Sequence, residues 1–136
     1  MYLIKEATEG VLKNEKISAI VYHGSEKIFK RFKFSLGGSR QGSVRNAMHF
    51  TTDRYNASFY GYNLYEVKLE INTFVEIDFK AITKKYGTQT LVKDAIQQYR
   101  NIDAVVIKNI TDGYVESDIY IVLKPTCIKS TKLIQS

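Results

Sequence analysis

The clearest periodic pattern in the chain lies in residues 64–71. Apolar side chains occupy every second position there and charged ones fill the positions between, the apolar set being Tyr65, Val67, Leu69 and Ile71. Because successive residues of a strand face opposite sides of a sheet, this alternation predicts a strand with one buried and one solvated face. A turn at Asn72 and Thr73 then leads into a second predicted strand over residues 74–78.

Apolar residues recur with helical spacing in two other segments. In residues 2–12 this spacing predicts a short amphipathic helix, which makes residues 1–18 the helical N-terminal part of the chain. The same spacing predicts a helix over residues 88–99, with Thr88 as its cap. A shorter helix is expected over residues 55–60, after an N-cap within Thr51–Asp53 and before a stop at Gly61.

The remaining apolar runs predict buried strands over residues 19–22, 104–108 and 118–124. Pro125 closes the last of them, because proline cannot donate to a ladder of hydrogen bonds. The resulting order of helix, strand, loop, short helix, strands, helix and strands indicates an α+β fold with a mainly antiparallel sheet. A length of 136 residues suits one domain, so we expect residues 1–136 to fold as a single unit.

Composition narrows the class of protein. No apolar run approaches the roughly 20 residues of a membrane-spanning helix, and the first residues lack the apolar core of a secretory signal. We therefore expect a cytoplasmic protein with no membrane partner. The single cysteine, Cys127, cannot form a disulfide within the chain, and the two histidines offer no zinc-site spacing, so no metal is expected. Because Cys127 follows Pro125 in an expected surface turn, a catalytic thiol is not expected either.

The net charge of +6 favours polyanionic partners. Both nucleic acid and the pyrophosphate of a dinucleotide fit such a charge, which is also common on plain solvated surfaces.

The first candidate for chemistry is the sequence His23-Gly24-Ser25, at the end of the strand predicted over residues 19–22. Glycine lets a ligand approach the backbone closely, and the imidazole can donate or accept a hydrogen bond in the same cleft. The alternative is a strand that simply turns through glycine and carries a surface histidine.

Two further groups of residues are candidates for binding. The rings of His49, Phe50 and Tyr60 suit the faces of a flat heterocycle, although such rings also form ordinary core. The glycine-rich segment 37–43 lacks the lysine of a nucleotide triphosphatase loop. Arg40, within this segment, and Arg45, shortly after it, carry guanidinium groups that fit a pyrophosphate, the alternative being a solvated loop.

Taken in order, these segments resemble the ADP-ribosyltransferase superfamily. His23-Gly24-Ser25 is similar to the first motif of its His-Tyr-Glu branch, which includes poly(ADP-ribose) polymerases and diphtheria-type toxins. The segment 49–52 with Ala57 and Tyr60 is similar to the second motif, and residues 65–78, 103–109 and 120–130 are similar to the strands that follow. The resemblance spans roughly residues 20–131 and is closest to the small transferase domains of phage and mobile-element polyvalent proteins.

The resemblance implies a split sheet with a few short helices around one NAD⁺ cleft, with NAD⁺ as substrate. Gly24 would bond the nicotinamide carboxamide through its backbone, and His23 would bind the adenosine ribose. Ser25 would support the nicotinamide end, and the ring of Tyr60 would stack on the pyridine.

Two positions depart from the family pattern. His49 stands where the family has its second-motif tyrosine, and Ile119 stands where it has the catalytic glutamate. Because alternate residues of a strand share a face, Glu116 and Asp118 are expected to lie on one side with Tyr120, and an offset of one residue would bring Asp118 into the cleft. The alternative is that both are solvated acids on an edge strand.

The expected catalytic set is therefore His23, His49, Glu116 and Asp118. The expected function is transfer of one ADP-ribose unit from NAD⁺ to a protein or nucleic acid, with release of nicotinamide. Two alternatives remain open. One is an NAD⁺ glycohydrolase, and the other is a silent module that binds NAD⁺, ADP-ribose or nucleic acid.

Overall fold

The computed structural model describes residues 10–29, 47–82, 87–111 and 113–136. Within these ranges the chain is mostly β, with six strands and two α-helices. In chain order these elements are β1 (Val11–Ser25), β2 (Met48–Thr51), α1 (Arg54–Ser58), β3 (Asn63–Asp78), α2 (Thr88–Gln98), β4 (Ala104–Thr111), β5 (Glu116–Val122) and β6 (Ile128–Gln135). A short 3₁₀ turn, Pro125–Cys127, precedes β6. Neither described helix is long and apolar enough to span a bilayer.

Five of the strands close into a barrel. The sheet runs in the order β1, β2, β5, β4, β3, and β1 also pairs with β3, while β6 pairs with β3 outside the ring. Among the described strands, only β3 and β4 pair in parallel, and α2 makes the crossover between them. The expected α+β fold with a split sheet is therefore wrong, because the described chain is mostly β and its sheet is closed. The strand pairs themselves are mainly antiparallel.

The first strand is much longer than expected. It pairs with β3 from Val11 opposite Glu76 to Ser25 opposite Asn63, with an irregularity between Asn14 and Ile17. Residues 11–18 are thus strand, not the helix predicted within residues 1–18, and residues 1–9 lie outside the described part. The helical spacing was overridden because a partner strand distant in sequence supplies this segment's hydrogen bonds.

The third strand is continuous across the predicted turn. The backbone N–H groups of Asn72 and Thr73 donate to the Asp103 carboxylate, at 2.7 and 3.3 Å. At the same place β3 changes neighbour, from β6 along residues 64–69 to β4 along residues 74–78. Asn72 and Thr73 therefore mark the position at which β3 exchanges one neighbouring strand for another. The sequence pattern cannot distinguish such a position from a turn.

Two cores lie on opposite faces of the sheet. The inner core lies inside the barrel and includes Val21, Phe50, Tyr65, Val67, Leu69, Val106, Tyr120 and Val122. The outer core lies beneath α2 and includes Val75, Ile77, Leu91, Val92, Ala95, Val105, Ile119 and Ile121. Strand β5 contributes alternate residues to both cores, which confirms its predicted alternation and makes it a central strand.

The short helix α1 begins as predicted. Asp53 is its N-cap, and the side chain accepts a hydrogen bond from the Asn56 N–H at 2.9 Å. The cap of α2 is Gly87, with Thr88 as the first helical residue. Pro125 does not end the sheet, since β6 follows it, and Cys127 is buried instead of lying in a surface turn.

Candidate functional site

The first and second candidate motifs meet where β1 and β2 run side by side. These strands pair at Tyr22 and Thr51, and the Nδ1 atom of His23 lies 2.9 Å from the carbonyl oxygen of His49. A carbonyl oxygen only accepts, so Nδ1 carries the hydrogen and donates it. Burial lowers the pKa of His23 more than this hydrogen bond raises it, so the ring is neutral at neutral pH and Nε2 is an acceptor.

Aromatic rings surround His23 on the inner side of the barrel. Its ring makes edge contacts with Phe29 and Phe50, at centroid distances of 6.1 and 5.7 Å. Phe29 stacks on Tyr65 at 4.4 Å, and the Tyr65 hydroxyl accepts from the Phe29 N–H and donates to the Phe29 carbonyl. Phe50 is only 2% exposed and belongs to the inner core, which favours a packing role for this candidate binding residue.

Glycine at position 24 is required for packing against α1. A Cβ atom there would overlap the carbonyl oxygen of Ala57, and a Cβ atom at Gly61 would overlap the backbone of Ser25. These two glycines let α1 and the turn after it approach the end of β1 closely. The space beside Gly24 that a side chain would fill is therefore occupied by the protein itself, so a bulky substitution disturbs this packing.

The remaining binding candidates have different surroundings. The hydroxyl of Ser25 accepts from the Lys27 N–H at 3.1 Å, and the Ser25 carbonyl accepts from the Asn63 amide at 3.1 Å. Tyr60 follows α1 and is half exposed, next to Phe59. Arg40 and Arg45 lie outside the described residues.

Both candidate carboxylates form ion pairs. Glu116 lies 2.8 Å from the ammonium of Lys80. The Asp118 carboxylate accepts from the Asn109 N–H at 3.0 Å and lies 3.9 Å from the Lys108 ammonium. Because β5 is paired with β2 on one side and β4 on the other, these acids are not on an edge strand.

Asp118 is the carboxylate more closely tied to the strand beside the histidines. The Thr52 N–H donates to the Asp118 carbonyl at 3.0 Å, and the Asp118 N–H donates to the Thr52 hydroxyl at 3.1 Å. Asp118 is also a cause, after burial, of the raised pKa of Tyr120. Since β2 separates β5 from β1, the backbones of Asp118 and His23 lie on strands roughly 10 Å apart. Ile119, at the family's glutamate position, is 3% exposed in the outer core.

One buried residue was missed by the sequence analysis. Asn56 in α1 is fully buried, and its amide oxygen accepts from the N–H groups of Tyr114 and Val115 at 2.7 and 2.8 Å. Its amide nitrogen donates to the Val115 carbonyl at 2.6 Å and to the Ser117 hydroxyl at 2.9 Å. Asn56 thereby fixes the β4–β5 turn to α1. The only sequence signal was a polar residue inside a short predicted helix.

Metal-binding groups and similarity to known proteins both bear on what this site can be. Among the described residues, no three His, Cys, Asp or Glu side chains form a group able to hold a metal ion. The comparison with protein-family models, curated proteins and solved structures gives no match to this chain.

Proposed function

We propose that the protein binds NAD⁺ at the end of β1 and transfers single ADP-ribose units to a macromolecule, releasing nicotinamide. The observation that carries the proposal is the contact between His23 and His49. These residues are 26 positions apart in sequence, and their motifs meet through a hydrogen bond of 2.9 Å. Helix α1 packs against the same strand end, so the neighbouring Tyr60 belongs to the same corner of the molecule.

An imidazole suits a hydroxyl ligand, because it can donate and accept hydrogen bonds. The His49 carbonyl accepts from the Nδ1–H of His23 and so orients the ring. The ring in turn can orient a ribose hydroxyl at the end of β1. The edge contacts with Phe29 and Phe50 restrict the movement of the imidazole, which reduces the entropy lost on binding.

In the proposed reaction the bond between C1′ of the ribose and the nicotinamide nitrogen breaks, and the bonding electrons leave with nicotinamide. A lone pair of the acceptor forms the new bond to C1′, and the acceptor's proton passes to water. Positive charge grows on the sugar in between, so a nearby carboxylate stabilises the transition state. We assign that role to Asp118, because Glu116 lies in the closer ion pair, with Lys80.

Transfer should stop after one unit. Chain elongation needs a group that binds and activates a hydroxyl of the ADP-ribose already attached. Ile119, at the position that corresponds to the family's glutamate, is apolar and buried in the outer core. It can neither accept a hydrogen bond nor reach an incoming ribose.

A silent NAD⁺-binding module is the second candidate. The observation in its favour is that both carboxylates already face lysines, namely Lys80 and Lys108. An ammonium ion beside a carboxylate weakens the stabilisation it offers to a cationic sugar. This alternative shares the binding step and differs only in the absence of turnover.

Calorimetric titration of the full chain with NAD⁺ tests the binding step. We expect saturable binding, at least about tenfold weaker in His23→Ala and in Tyr60→Ser, because one loses an acceptor and the other a stacking ring. Ser130→Ala, an exposed serine on β6, is the matched control and should bind as the wild type does. Since Tyr60 is half exposed, its variant remains informative if His23→Ala fails to fold. Wild-type affinity in a folded His23→Ala variant would refute the proposed site.

A further inference from the structure

Three exposed aromatic rings form a continuous surface on α1 and the β4–β5 turn. Tyr55, Phe59 and Tyr114 are between 48% and 59% exposed. Tyr114 lies between the other two, with ring centroids 4.4 Å from Tyr55 and 5.2 Å from Phe59. We call this set the three-ring surface.

The three-ring surface is held rigidly from below. Asn56 accepts hydrogen bonds from the backbone of Tyr114 and Val115, so the turn cannot move independently of α1. Gly113 has a φ of +121°, a conformation that favours glycine, and a Cβ atom there would crowd the Asn56 side chain. A buried polar residue and a glycine that other residues cannot replace without strain therefore fix the position of the exposed rings.

The area of the three-ring surface distinguishes between classes of partner. A large aromatic side chain buries about 150–250 Å² when fully covered, so three half-exposed rings offer roughly 300 Å². A stable protein interface buries about 800 Å² on each side. The surface is too small to hold a protein by itself, but it matches the faces of two or three stacked bases.

Charge favours a nucleic acid over a neutral aromatic ligand. The chain carries a net charge of +6. Arg54 precedes Tyr55 in α1, and its guanidinium packs over the Tyr22 ring of β1, 5.6 Å from the ring centre. Proteins that bind single strands combine stacking rings with an excess of cations, because the rings stack on bases while cations contact phosphates. Here the net charge of the chain supplies that excess.

From these observations we infer that the three-ring surface binds single-stranded nucleic acid by base stacking. Duplex binding is not expected, because paired bases do not expose their faces. This inference goes beyond the proposed NAD⁺ chemistry and does not depend on it.

The test is fluorescence anisotropy with a labelled single-stranded oligothymidine of about 12 nucleotides, a length within the usual range of such sites. We expect binding that weakens steeply as salt rises, and a loss of about tenfold in affinity in the double variant Tyr55→Leu with Tyr114→Leu. Leucine keeps the apolar area and removes the ring faces, so the loss measures stacking. Ile20→Leu with Val11→Leu, exposed residues on β1, is the matched control and should not change affinity.

Four outcomes would overturn the inference. Equal affinity for the matching duplex, unchanged affinity in the leucine variant, or no binding at low salt would each do so. So would a concentration-dependent dimer of the wild type that is lost in the leucine variant, because the surface would then contact a second copy of the chain. The leucine variant should keep its NAD⁺ affinity, so failure here is distinct from failure of the proposed function.

Discussion

At the scale of single residues, His23 links the stability of the protein to pH. Burial lowers its pKa below 6.5 in the folded chain, while the unfolded chain titrates near that value. Between the two values the unfolded state binds a proton that the folded state does not. Stability is therefore fully present above about pH 6.5 and falls as the pH drops through the folded-state pKa.

The expected result is a free energy of unfolding that decreases as the pH is lowered below about 6.5, with a shallower slope in His23→Gln. Urea denaturation at a series of pH values measures it. The lowered pKa values of Asp78 and Asp103 act below pH 3.8 and do not contribute in this window. Ser130→Ala should keep the wild-type slope, and an equally steep slope in His23→Gln would show that another group is responsible.

Cys127 is a second residue with a clear chemical prediction. Burial, followed by the nearby charge of Asp103, raises its thiol pKa to about 11. At pH 8 only about one thousandth of such a thiol is ionised, and the thiolate is the reactive form. We expect a thiol-specific chromogenic reagent to label the native chain at least about 100-fold more slowly than the chain in denaturant. Comparable rates in the two states would contradict the buried position.

A third prediction at this scale concerns the role of Asp118 in catalysis. Asp118→Asn removes the charge but retains an oxygen that can accept from the Asn109 N–H, so the fold of the β4–β5 hairpin should be preserved. If the carboxylate stabilises the sugar cation, nicotinamide release should fall by at least tenfold while NAD⁺ affinity stays near normal. Glu116→Gln, on the same strand, is the matched control and should retain activity. The reverse pattern would move the role to Glu116.

At the scale of elements, the contact between α1 and the β4–β5 turn depends on Asn56. Asn56→Ala leaves the part-buried N–H groups of Tyr114 and Val115 without their acceptor, and each such loss is costly. We expect the free energy of unfolding to fall by about 2–4 kcal/mol in urea denaturation. Gln97→Ala, an exposed position on α2, should change it little. A loss below about 1 kcal/mol in Asn56→Ala would mean that water replaces the amide.

Elements with a strong local pattern could be predicted from the sequence. The alternation from Tyr65 to Ile71, the apolar face of α2 and the Asp53 cap all express rules that act within a few residues. Their buried sides match the expected ones. The predictions that failed concern features set by strands distant in sequence, namely the length of β1 and the continuity of β3 through Asn72 and Thr73.

For the candidate site, the sequence indicated the motifs but not the features that depend on tertiary packing. The meeting of His23 with His49 agrees with the motif order, whereas the filled space beside Gly24 depends on how closely α1 approaches. The pairing of Asp118 with Asn109 and Lys108 also depends on an irregularity in β4, which no local pattern reveals.

At the scale of the whole molecule, closure of the sheet could not be predicted from the sequence. It requires β1 to pair with β2 on one edge and with β3 on the other, and these partners are far apart along the chain. Closure buries the inner face of β5, while α2 covers the outer face and Ile119 lies in the outer core. The central claim, transfer of single ADP-ribose units from NAD⁺, therefore depends on where the closed sheet places individual side chains.

The most direct test of that claim is incubation of the full chain with NAD⁺ labelled in the adenosine part, together with separated protein and nucleic-acid fractions. The account predicts release of nicotinamide with one labelled ADP-ribose per modified site, and loss of that label in His23→Ala but not in Ser130→Ala. Nicotinamide release without a labelled acceptor would identify a glycohydrolase instead. Long polymers, or binding of NAD⁺ with no turnover on any fraction, would contradict the proposed transfer.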